Sequence, residues 1–423
     1  MSASIPDRPR KIHSPATPLR TRKPMAANGT IARFPFAARS AIIPAMPDNT
    51  QSPEALRVAV SCGGTGGHMF PGLAVAAELR RRGHRVAVIL SGRAVEAERA
   101  KADLPEGAEA MLVPVDPVSP RRPRSLLKLW RAYRSAKRQL RAFRPDALLA
   151  MGSYTSIAPV LAARSLGVPV VLHEANAIPG SAVAHLARFA RTICVCFPGM
   201  ERYFPEGARL ADTGLPLRAE FGKGIGGSKA DPAKFSLLVM GGSQGAKAVN
   251  RAVAEALALL PSRHPELAAR IRVVHLAGTR NEDEVRALYA EKGLSGAAFE
   301  VLGFEHDMSR RYAEADLCVS RAGASSCFEF ALTGLPAVFV PLPGLARDHQ
   351  SRNAESMAAR GAGVVAPQGS LSPESLADLL ASLSADAPRR AAMRESLLAA
   401  ARPDAAARVA DEVERNARRA SDE

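Results

Sequence analysis

Short apolar segments that alternate with helical segments constrain the fold of this chain more than any other feature. Runs such as RVAVSC, RVAVIL, VPVVLHE and LPAVFVPL are almost entirely apolar and rich in valine. A strand that is apolar on both faces is typical of a parallel sheet covered by helices on both sides. The alternation therefore predicts an α/β protein built on parallel sheets.

The alternation starts twice along the chain, each time with a strand, a glycine loop and a helix. The first start is VAVSCGGTGGHMF and the second is LLVMGGSQGAKAVN, with the Gly- and Lys-rich stretch FGKGIGGSKADPAK between them. Such a stretch is typical of a linker. We therefore predict α/β domains at residues 56–218 and 235–402, joined by a linker at 219–234. A C-terminal helix at 403–423 is expected to pack back on the first domain.

Residues 1–55 differ in composition from the rest of the chain. They include IPDRPRKIHSPATPLRTRKP, which is rich in proline and basic residues and has no apolar period. Such a composition cannot bury enough apolar surface to order itself. We interpret the segment as a disordered basic extension, and Met46, shortly before the first strand, as a candidate for the true start.

Charge and composition narrow the functional classes. The net charge of the 423 residues is +16, which favours a polyanionic partner such as nucleic acid, an anionic membrane or a phosphorylated substrate. Only 5% of residues are aromatic, with no pattern for stacking on bases, so nucleic acid is disfavoured as a partner.

No apolar run is long enough to predict a transmembrane helix. The five cysteines, including Cys327, fit neither a disulfide framework nor a zinc motif. Four lie in strand-like apolar runs and are expected to be buried, reduced thiols of a cytoplasmic protein: Cys62, Cys194, Cys196 and Cys318.

Three glycine loops follow predicted strands: SCGGTGGHMF, AMGSYTSIAP and VMGGSQGAKAVN. Glycines let backbone amides approach an anion, and a helix N-terminus adds positive potential. The first loop lacks the lysine of a Walker A motif, and Met69 stands where a dinucleotide fingerprint has its third glycine. We therefore predict phosphate binding without NAD, FAD or any other cofactor.

A fourth segment, SRAGASSCFEF, has small residues at a predicted helix start and a carboxylate, Glu329, within an otherwise apolar helix. A buried carboxylate is costly unless it is paired. Ribose hydroxyls would provide donors for Glu329, and an arginine partner is the alternative. No Asp-x-Asp pair, which can hold a cation on a diphosphate, occurs in the chain. We therefore expect no metal at the site.

Taken together, these motifs and VLHEANAIPG, RAGASSCFEFALTGLPAVFVPLP and DHQSRNA resemble the MurG family over residues 56–419. The resemblance implies the GT-B fold, in which two Rossmann-like domains face each other across a cleft. It implies inverting transfer of N-acetylglucosamine from UDP-N-acetylglucosamine to undecaprenyl-diphosphate-muramyl-pentapeptide (lipid I), giving lipid II in peptidoglycan synthesis. It also implies a peripheral protein on the cytoplasmic face of the inner membrane, with cell-wall synthesis and division proteins as possible partners.

Carried over position by position, the resemblance implies a set of substrate contacts. The residues expected at the sugar and diphosphate are Gly64, Thr65, Gly66, Asn176, Arg218, Ser243 and Gln350. The residues expected at the nucleoside are Ala324, Ser325, Ser326, Cys327, Phe328 and Glu329, with Glu329 on the ribose. Phe304 and Glu305 match a turn that faces uracil. The chain departs from the family pattern in having Ser153, Ala175, Leu215 and Glu305.

The acceptor hydroxyl must lose a proton as it attacks the sugar, and a side chain with a pKa near neutrality suits that task. His68, at the mouth of the first loop, is the first candidate for the base. Glu174, at the end of the strand VPVVLHE, is the second. The alternatives are an imidazole that contacts phosphate and a carboxylate that orients its neighbours.

The helix predicted after Pro123 carries Leu126, Leu127, Trp130 and Tyr133 at helical spacing among arginines and lysines. A basic helix with an aromatic and aliphatic face is typical of binding to an anionic membrane surface. A core-packed helix with a solvated basic face is the alternative. For the whole chain, the competing hypotheses are transfer to another glycolipid such as a diacylglycerol, a UDP-sugar sensor without activity, and nucleic-acid binding.

Overall fold

The computed structural model describes residues 55–64, 66–92, 103–115, 123–218, 221, 233–242, 245–344 and 346–417. The predicted extension, apart from Ala55, and Met46 lie outside these residues. So do Thr65, Ser243 and most of the predicted linker.

The first half of the chain forms a seven-stranded parallel sheet with the order β3-β2-β1-β4-β5-β6-β7. Its strands are β1 (Arg57–Ser61), β2 (Arg85–Leu90), β3 (Glu109–Leu112), β4 (Ala147–Ala150), β5 (Val170–Glu174), β6 (Thr192–Val195) and β7 (Leu210–Asp212). Its helices are α1 (Gly66–Arg81), α2 (Pro123–Phe143), α3 (Ile157–Ser165) and α4 (Ser181–Leu186). The central strands are apolar and buried because helices cover both faces, as the continuous apolar runs predicted.

The second half forms a six-stranded parallel sheet with the order β10-β9-β8-β11-β12-β13. Its strands are β8 (Phe235–Met240), β9 (Ile271–Leu276), β10 (Phe299–Leu302), β11 (Leu317–Ser320), β12 (Ala337–Phe339) and β13 (Val364–Val365). Its helices are α5 (Lys247–Arg263), α6 (Pro265–Arg270), α7 (Glu282–Glu291), α8 (Met308–Glu314), α9 (Ala324–Thr333), α10 (His349–Ala358), α11 (Pro373–Ala385), α12 (Ala387–Ala400) and α13 (Ala405–Asn416). The predicted α/β class with two parallel sheets is confirmed.

Each sheet has one point at which the strand order reverses. In the first sheet the reversal lies between β1 and β4, and in the second between β8 and β11. Loops that leave two such strands run to opposite faces of the sheet and open a crevice, where open α/β sheets bind their ligands. The three glycine loops follow β1, β4 and β8, and the segment RAGASS follows β11. All four motifs therefore lie at the two ligand-binding edges.

The last helix, α13, packs against the first sheet. Val409, Ala410 and Val413 are buried among the side chains of α1 and the central strands. At the margin of this contact, Arg82 forms ion pairs with Asp411 at 2.6 Å and Glu414 at 3.0 Å. The chain thus crosses back from the second half to the first, so that the C-terminal helix covers part of the first sheet.

All five cysteines are buried and none forms a disulfide, as predicted for the four in strand-like runs. Burial raises the pKa of the Cys196 and Cys318 thiols well above the usual value. Within the described ranges, no helix combines the length and the apolar character needed to cross a bilayer.

Candidate active site at the facing sheet edges

The first and second glycine loops contact each other at the carboxyl edge of the first sheet. Gly64 has φ +120°, and a Cβ at this position would lie 2.8 Å from Oγ of Ser153. The hydroxyl of Thr155 donates to the carbonyl of Gly63 at 2.6 Å. Glycine at position 64 is therefore required both by its backbone conformation and by the second loop, and the two loops form one surface.

Ser153 occupies a backbone conformation that is otherwise almost restricted to glycine. Its φ of 67° and ψ of 160° place it outside the regions that L-residues adopt readily. Such a conformation costs on the order of 1–3 kcal/mol and persists only where surrounding structure imposes it. Serine at this position, one of the departures from the family pattern, thus raises the conformational free energy of the folded chain.

Replacing Ser153 with glycine is expected to raise the free energy of unfolding by about 1 kcal/mol, because relief of strain exceeds the greater chain entropy of glycine. Urea unfolding measures the change. Ser153→Ala keeps the Cβ and the strain, and serves as the control that leaves stability near the wild-type value. A Ser153→Gly protein less stable than wild type would contradict the argument.

His68 lies in the first turn of α1, directly after the first loop. Its ring packs towards the second loop, with Cδ2 3.5 Å from the position that a Cβ on Gly152 would take. Desolvation, and to a smaller extent the charge of His349 from the second half, lowers the pKa of His68 to about 4. The imidazole is therefore neutral at pH 7, but its pKa lies below the near-neutral value that suits a general base best.

Glu174, the last residue of β5, is buried and its carboxylate holds the loop that follows. Oε1 accepts hydrogen bonds from the backbone and side-chain amides of Asn176 at 2.9 and 3.0 Å. Oε2 accepts one from the backbone amide of Gly180 at 2.8 Å. Burial raises the pKa of Glu174, and these hydrogen bonds oppose the rise. Both oxygens are thus engaged within the loop, which is the geometry of an orienting carboxylate.

The loop after β5 contacts α10 of the second half. The backbone amide of Ala177 donates to Oδ1 of Asn353 at 2.8 Å, and Nδ2 of Asn353 donates to Oδ1 of Asn176 at 3.1 Å. Arg347 donates to the carbonyl of Pro179 at 2.8 Å. These contacts bring the predicted residue Asn176 to the boundary between the two halves.

In the second half, the loop after β8 is built around two glycines with positive φ, Gly242 and Gly245. A Cβ at Gly245 would collide with the carbonyl of Ala277, so the loop passes directly over the end of β9. The helix α5 begins two residues later, at Lys247. The arrangement suits an anion at a helix N-terminus.

The helix α9 begins on the other side of the reversal point, after Gly323. Ala324, Ser325 and Ser326 in its first turn are half-buried, whereas the side chains of Cys327 and Phe328 are buried in the core. Cys327 and Phe328, both predicted to contact the nucleoside, therefore have only their backbone groups available to a ligand. The ring of Phe328 packs edge-on against Phe197 of the first half, with centroids 5.0 Å apart.

The hydroxyl of Tyr312, on α8, donates to Oε2 of the half-buried Glu329 at 2.6 Å. Burial, and then the charge of Glu329, raises the pKa of Tyr312 well above its usual value, so the tyrosine remains a donor. Tyr312 is thus a donor to this carboxylate in addition to the ribose or arginine that the sequence suggested. Sequence reasoning did not include Tyr312, whose only signal was an aromatic residue on a short helix.

Two further predicted contacts lie near the boundary. The guanidinium of the exposed Arg218 lies over the rings of Phe70, on α1, and Phe221, at 5.0 and 5.5 Å. Gln350 accepts a hydrogen bond from the backbone amide of Leu342 at 2.9 Å through Oε1. This bond ties the first turn of α10 to the loop after β12.

The carboxylate of Glu305 is turned towards its own loop. It accepts hydrogen bonds from the amides of His306 and Asp307 at 2.8 and 3.1 Å and from Arg311 at 2.7 Å. The hydrogen bond from Arg311 is the main reason why the pKa of Glu305 is lowered. Phe304 is exposed, so the ring rather than the carboxylate is available to a ligand at this turn. In the described part of the chain, no cluster of His, Cys, Asp and Glu has the arrangement of a metal site.

Comparison with known proteins agrees with this architecture. The chain matches the models of the glycosyltransferase family 28 N-terminal domain over residues 58–195 and C-terminal domain over residues 236–409. A Halorhodospira halophila protein named UDP-N-acetylglucosamine--N-acetylmuramyl-(pentapeptide) pyrophosphoryl-undecaprenol N-acetylglucosamine transferase is 40% identical, covering 84% of this chain and 96% of its own. A Burkholderia thailandensis protein of the same name is 38% identical, covering 85% and 96%.

Among solved structures, the crystal structure of Acinetobacter baumannii MurG aligns with a TM-score of 0.68 at 31% identity, covering 85% of this chain and 99% of that one. The family models match both sheets, and the relatives are aligned over nearly their whole length. The chain therefore belongs to glycosyltransferase family 28 and, within it, to the MurG family.

Proposed function

We propose that this protein transfers N-acetylglucosamine from UDP-N-acetylglucosamine to lipid I, giving lipid II. The observation that carries the proposal is the pairing of two ligand-binding edges. One edge presents the neutral His68, and the other presents the N-termini of α5 and α9 with Glu329. The relatives that share 36–40% of their residues with this chain are named for the same transfer.

In the proposed reaction the donor lies against the second half. Its diphosphate would lie at the loop after β8 and its nucleoside at α9, with Glu329 towards the ribose. The N-terminal amides of the helices and the guanidinium of Arg218 would stabilise the negative charge that develops on the departing UDP. Removal of one such donor typically costs about 3–4 kcal/mol of transition-state stabilisation.

The acceptor would approach from the first half. Its hydroxyl oxygen forms a bond to the anomeric carbon as the bond from that carbon to the diphosphate oxygen breaks, and the electron pair leaves with UDP. His68, whose imidazole is neutral at pH 7, takes the hydroxyl proton. We assign Glu174 the role of holding the loop at 175–180, since its oxygens are bound to that loop.

Incubation of the protein with radiolabelled UDP-N-acetylglucosamine and a lipid I analogue tests the function. We expect label in a lipid product that depends on both substrates. A diacylglycerol acceptor and UDP-glucose are the matched controls, and neither should give a product at a comparable rate. Transfer to the diacylglycerol alone would identify another glycolipid synthase, and binding of the donor without transfer would identify a sensor.

We further propose that α2 docks on an anionic membrane surface at the cytoplasmic face. Its inner face, formed by Ala132, Ala136 and Leu140, is buried in the core. The outer face carries Leu126, Leu127 and Trp130, which are 58%, 50% and 51% exposed. The helix is thus both core-packed and apolar on its outer face. Large exposed apolar side chains beside basic residues are typical of interfacial helices.

Replacing Arg131 and Arg138, two exposed arginines of α2, with alanine is expected to weaken binding to vesicles that contain phosphatidylglycerol by roughly 30-fold. Each basic side chain near an anionic surface contributes about 1 kcal/mol. Co-sedimentation at two salt concentrations measures the change. Arg251→Ala/Arg286→Ala, on exposed sites of α5 and α7, removes the same charge elsewhere and should leave binding nearly intact. Equal losses in the two pairs would contradict docking through α2.

A further inference from the structure

We propose that Asn353 is a positioning residue for the transfer reaction. It acts as a latch that sets the separation between the donor helix α9 and the side of the cleft that carries His68. The inference rests on the proposed function and adds to it a residue that acts through its neighbours.

The side chain of Asn353 is fully buried and makes three hydrogen bonds, two of them to the first half. Oδ1 accepts from the amide of Ala177 at 2.8 Å. Nδ2 donates to Oδ1 of Asn176 and to the carbonyl of Ala322, both at 3.1 Å. A carboxamide has two donor hydrogens and one acceptor oxygen, and all three are satisfied here. One side chain therefore joins the loop after β5 to the end of β11.

Both attachment points are tied to regular secondary structure. On one side, Asn176 is held by Glu174, which also accepts from the amide of Gly180, so the loop is fixed to the end of β5. On the other side, Ala322 immediately precedes Gly323, which caps the N-terminus of α9. We therefore expect a change in the Asn353 contacts to alter the distance between the two half-sites, because each attachment point is tied to a strand end or a helix start.

A second contact lies beside the first. Arg347 donates to the carbonyl of Pro179, and both Arg347 and Asp348 have positive φ, at 64° and 49°. Residues other than glycine rarely hold this conformation unless their surroundings impose it. The segment before α10 thus adopts an unusual backbone conformation where it contacts the first half.

The latch would act on alignment and not on acid–base chemistry. The partners of the Asn353 side chain are neutral amides and carbonyls, so its removal takes no charge from His68 or from the departing diphosphate. A displacement of about 1 Å in such an alignment can cost about 10²-fold in rate. The expected signature is therefore a lower kcat with unchanged pH dependence and unchanged affinity for UDP.

Asn353→Ala, Asn176→Ala and the double variant test the latch by a double-mutant cycle. We expect Asn353→Ala to lower kcat roughly 10- to 100-fold. The dissociation constant for UDP should stay within about twofold, and Asn353→Ala should lower kcat much less in the Asn176→Ala background than in the wild type. Asn416→Ala is the matched control: Asn416 is buried and donates to Thr192 Oγ1 and the carbonyl of Glu412, far from the facing edges. It should lower the melting temperature similarly and leave kcat within about twofold.

Three outcomes would overturn the latch: a kcat for Asn353→Ala that matches Asn416→Ala, additive effects in the cycle, or a loss of UDP affinity parallel to the loss of rate. Small-angle scattering of the substrate-free proteins gives a readout independent of activity, and Asn353→Ala should broaden the distance distribution whereas Asn416→Ala should not. An unchanged distribution would also overturn the latch. If the wild-type protein transfers no N-acetylglucosamine, the proposed function fails while the scattering result still tests the latch.

Discussion

His68→Ala is expected to lower kcat by about 10²–10⁴-fold, the usual contribution of a general base. The affinity for UDP should change little, because His68 lies on the first half, whereas the loop after β8 and the helix α9 proposed for the diphosphate and nucleoside lie on the second. Steady-state kinetics with a lipid I analogue, together with calorimetric titration of UDP, separates the two quantities. His264→Ala is the matched control, since His264 pairs with Asp378 at the far end of α5. A wild-type rate for His68→Ala would eliminate this residue as the base.

The assignment of His68 as the base also predicts how kcat/KM depends on pH. Because desolvation lowers the pKa of His68 to about 4, the ring is already deprotonated well below neutrality. The wild-type kcat/KM should therefore stay level as the pH falls from 8 through 6.5, and should decline only as it approaches the pKa of about 4. An inflection near 6.5, the ordinary histidine value, would show that the ring titrates as an exposed imidazole and would contradict the buried, neutral base.

Glu329→Ala is expected to raise the KM for UDP-N-acetylglucosamine and the dissociation constant for UDP roughly 10- to 100-fold. Hydrogen bonds to a charged group contribute about 1.5–3 kcal/mol, and each 1.4 kcal/mol is a factor of ten. The variant should affect kcat much less, because the ribose lies away from the reacting carbon. Isothermal titration with UDP and steady-state kinetics measure both effects.

The control for Glu329 is Tyr312→Phe, which removes the hydroxyl that donates to the carboxylate at 2.6 Å and leaves the carboxylate itself in place. Its effect on UDP affinity should be several-fold smaller. If Tyr312→Phe weakens UDP binding as much as Glu329→Ala does, the carboxylate acts by holding α8 against α9 and not by contacting the nucleoside.

The local features of this site were accessible from the sequence because they depend on short-range properties. Continuous apolar runs specify buried parallel strands, and glycines with positive φ, such as Gly64 and Gly245, specify loops that let an anion approach a helix N-terminus. The positions of the loops after β1, β4 and β8 follow from these patterns, as does the placement of His68 at the start of α1.

Other features depend on contacts between residues far apart in the chain. The desolvation that lowers the pKa of His68 and the pairing of Tyr312 with Glu329 each arise when separate elements pack together. The engagement of both Glu174 oxygens is local, since Asn176 and Gly180 lie two and six residues away. Ser153 is an ordinary serine in the sequence, and its unusual backbone conformation is visible only in the structure.

By itself, the sequence determined that the chain forms two parallel sheets with glycine loops at the carboxyl ends of their strands, because hydrophobic periodicity and glycine act over a few residues. The tertiary structure alone decided which side chain can accept a proton and which one orients a loop, because pKa values and hydrogen-bond partners depend on burial by distant segments. It also decided that Asn353 joins the two halves. An asparagine in a polar helix carries no signal in the sequence for the partners that it meets 177 residues away.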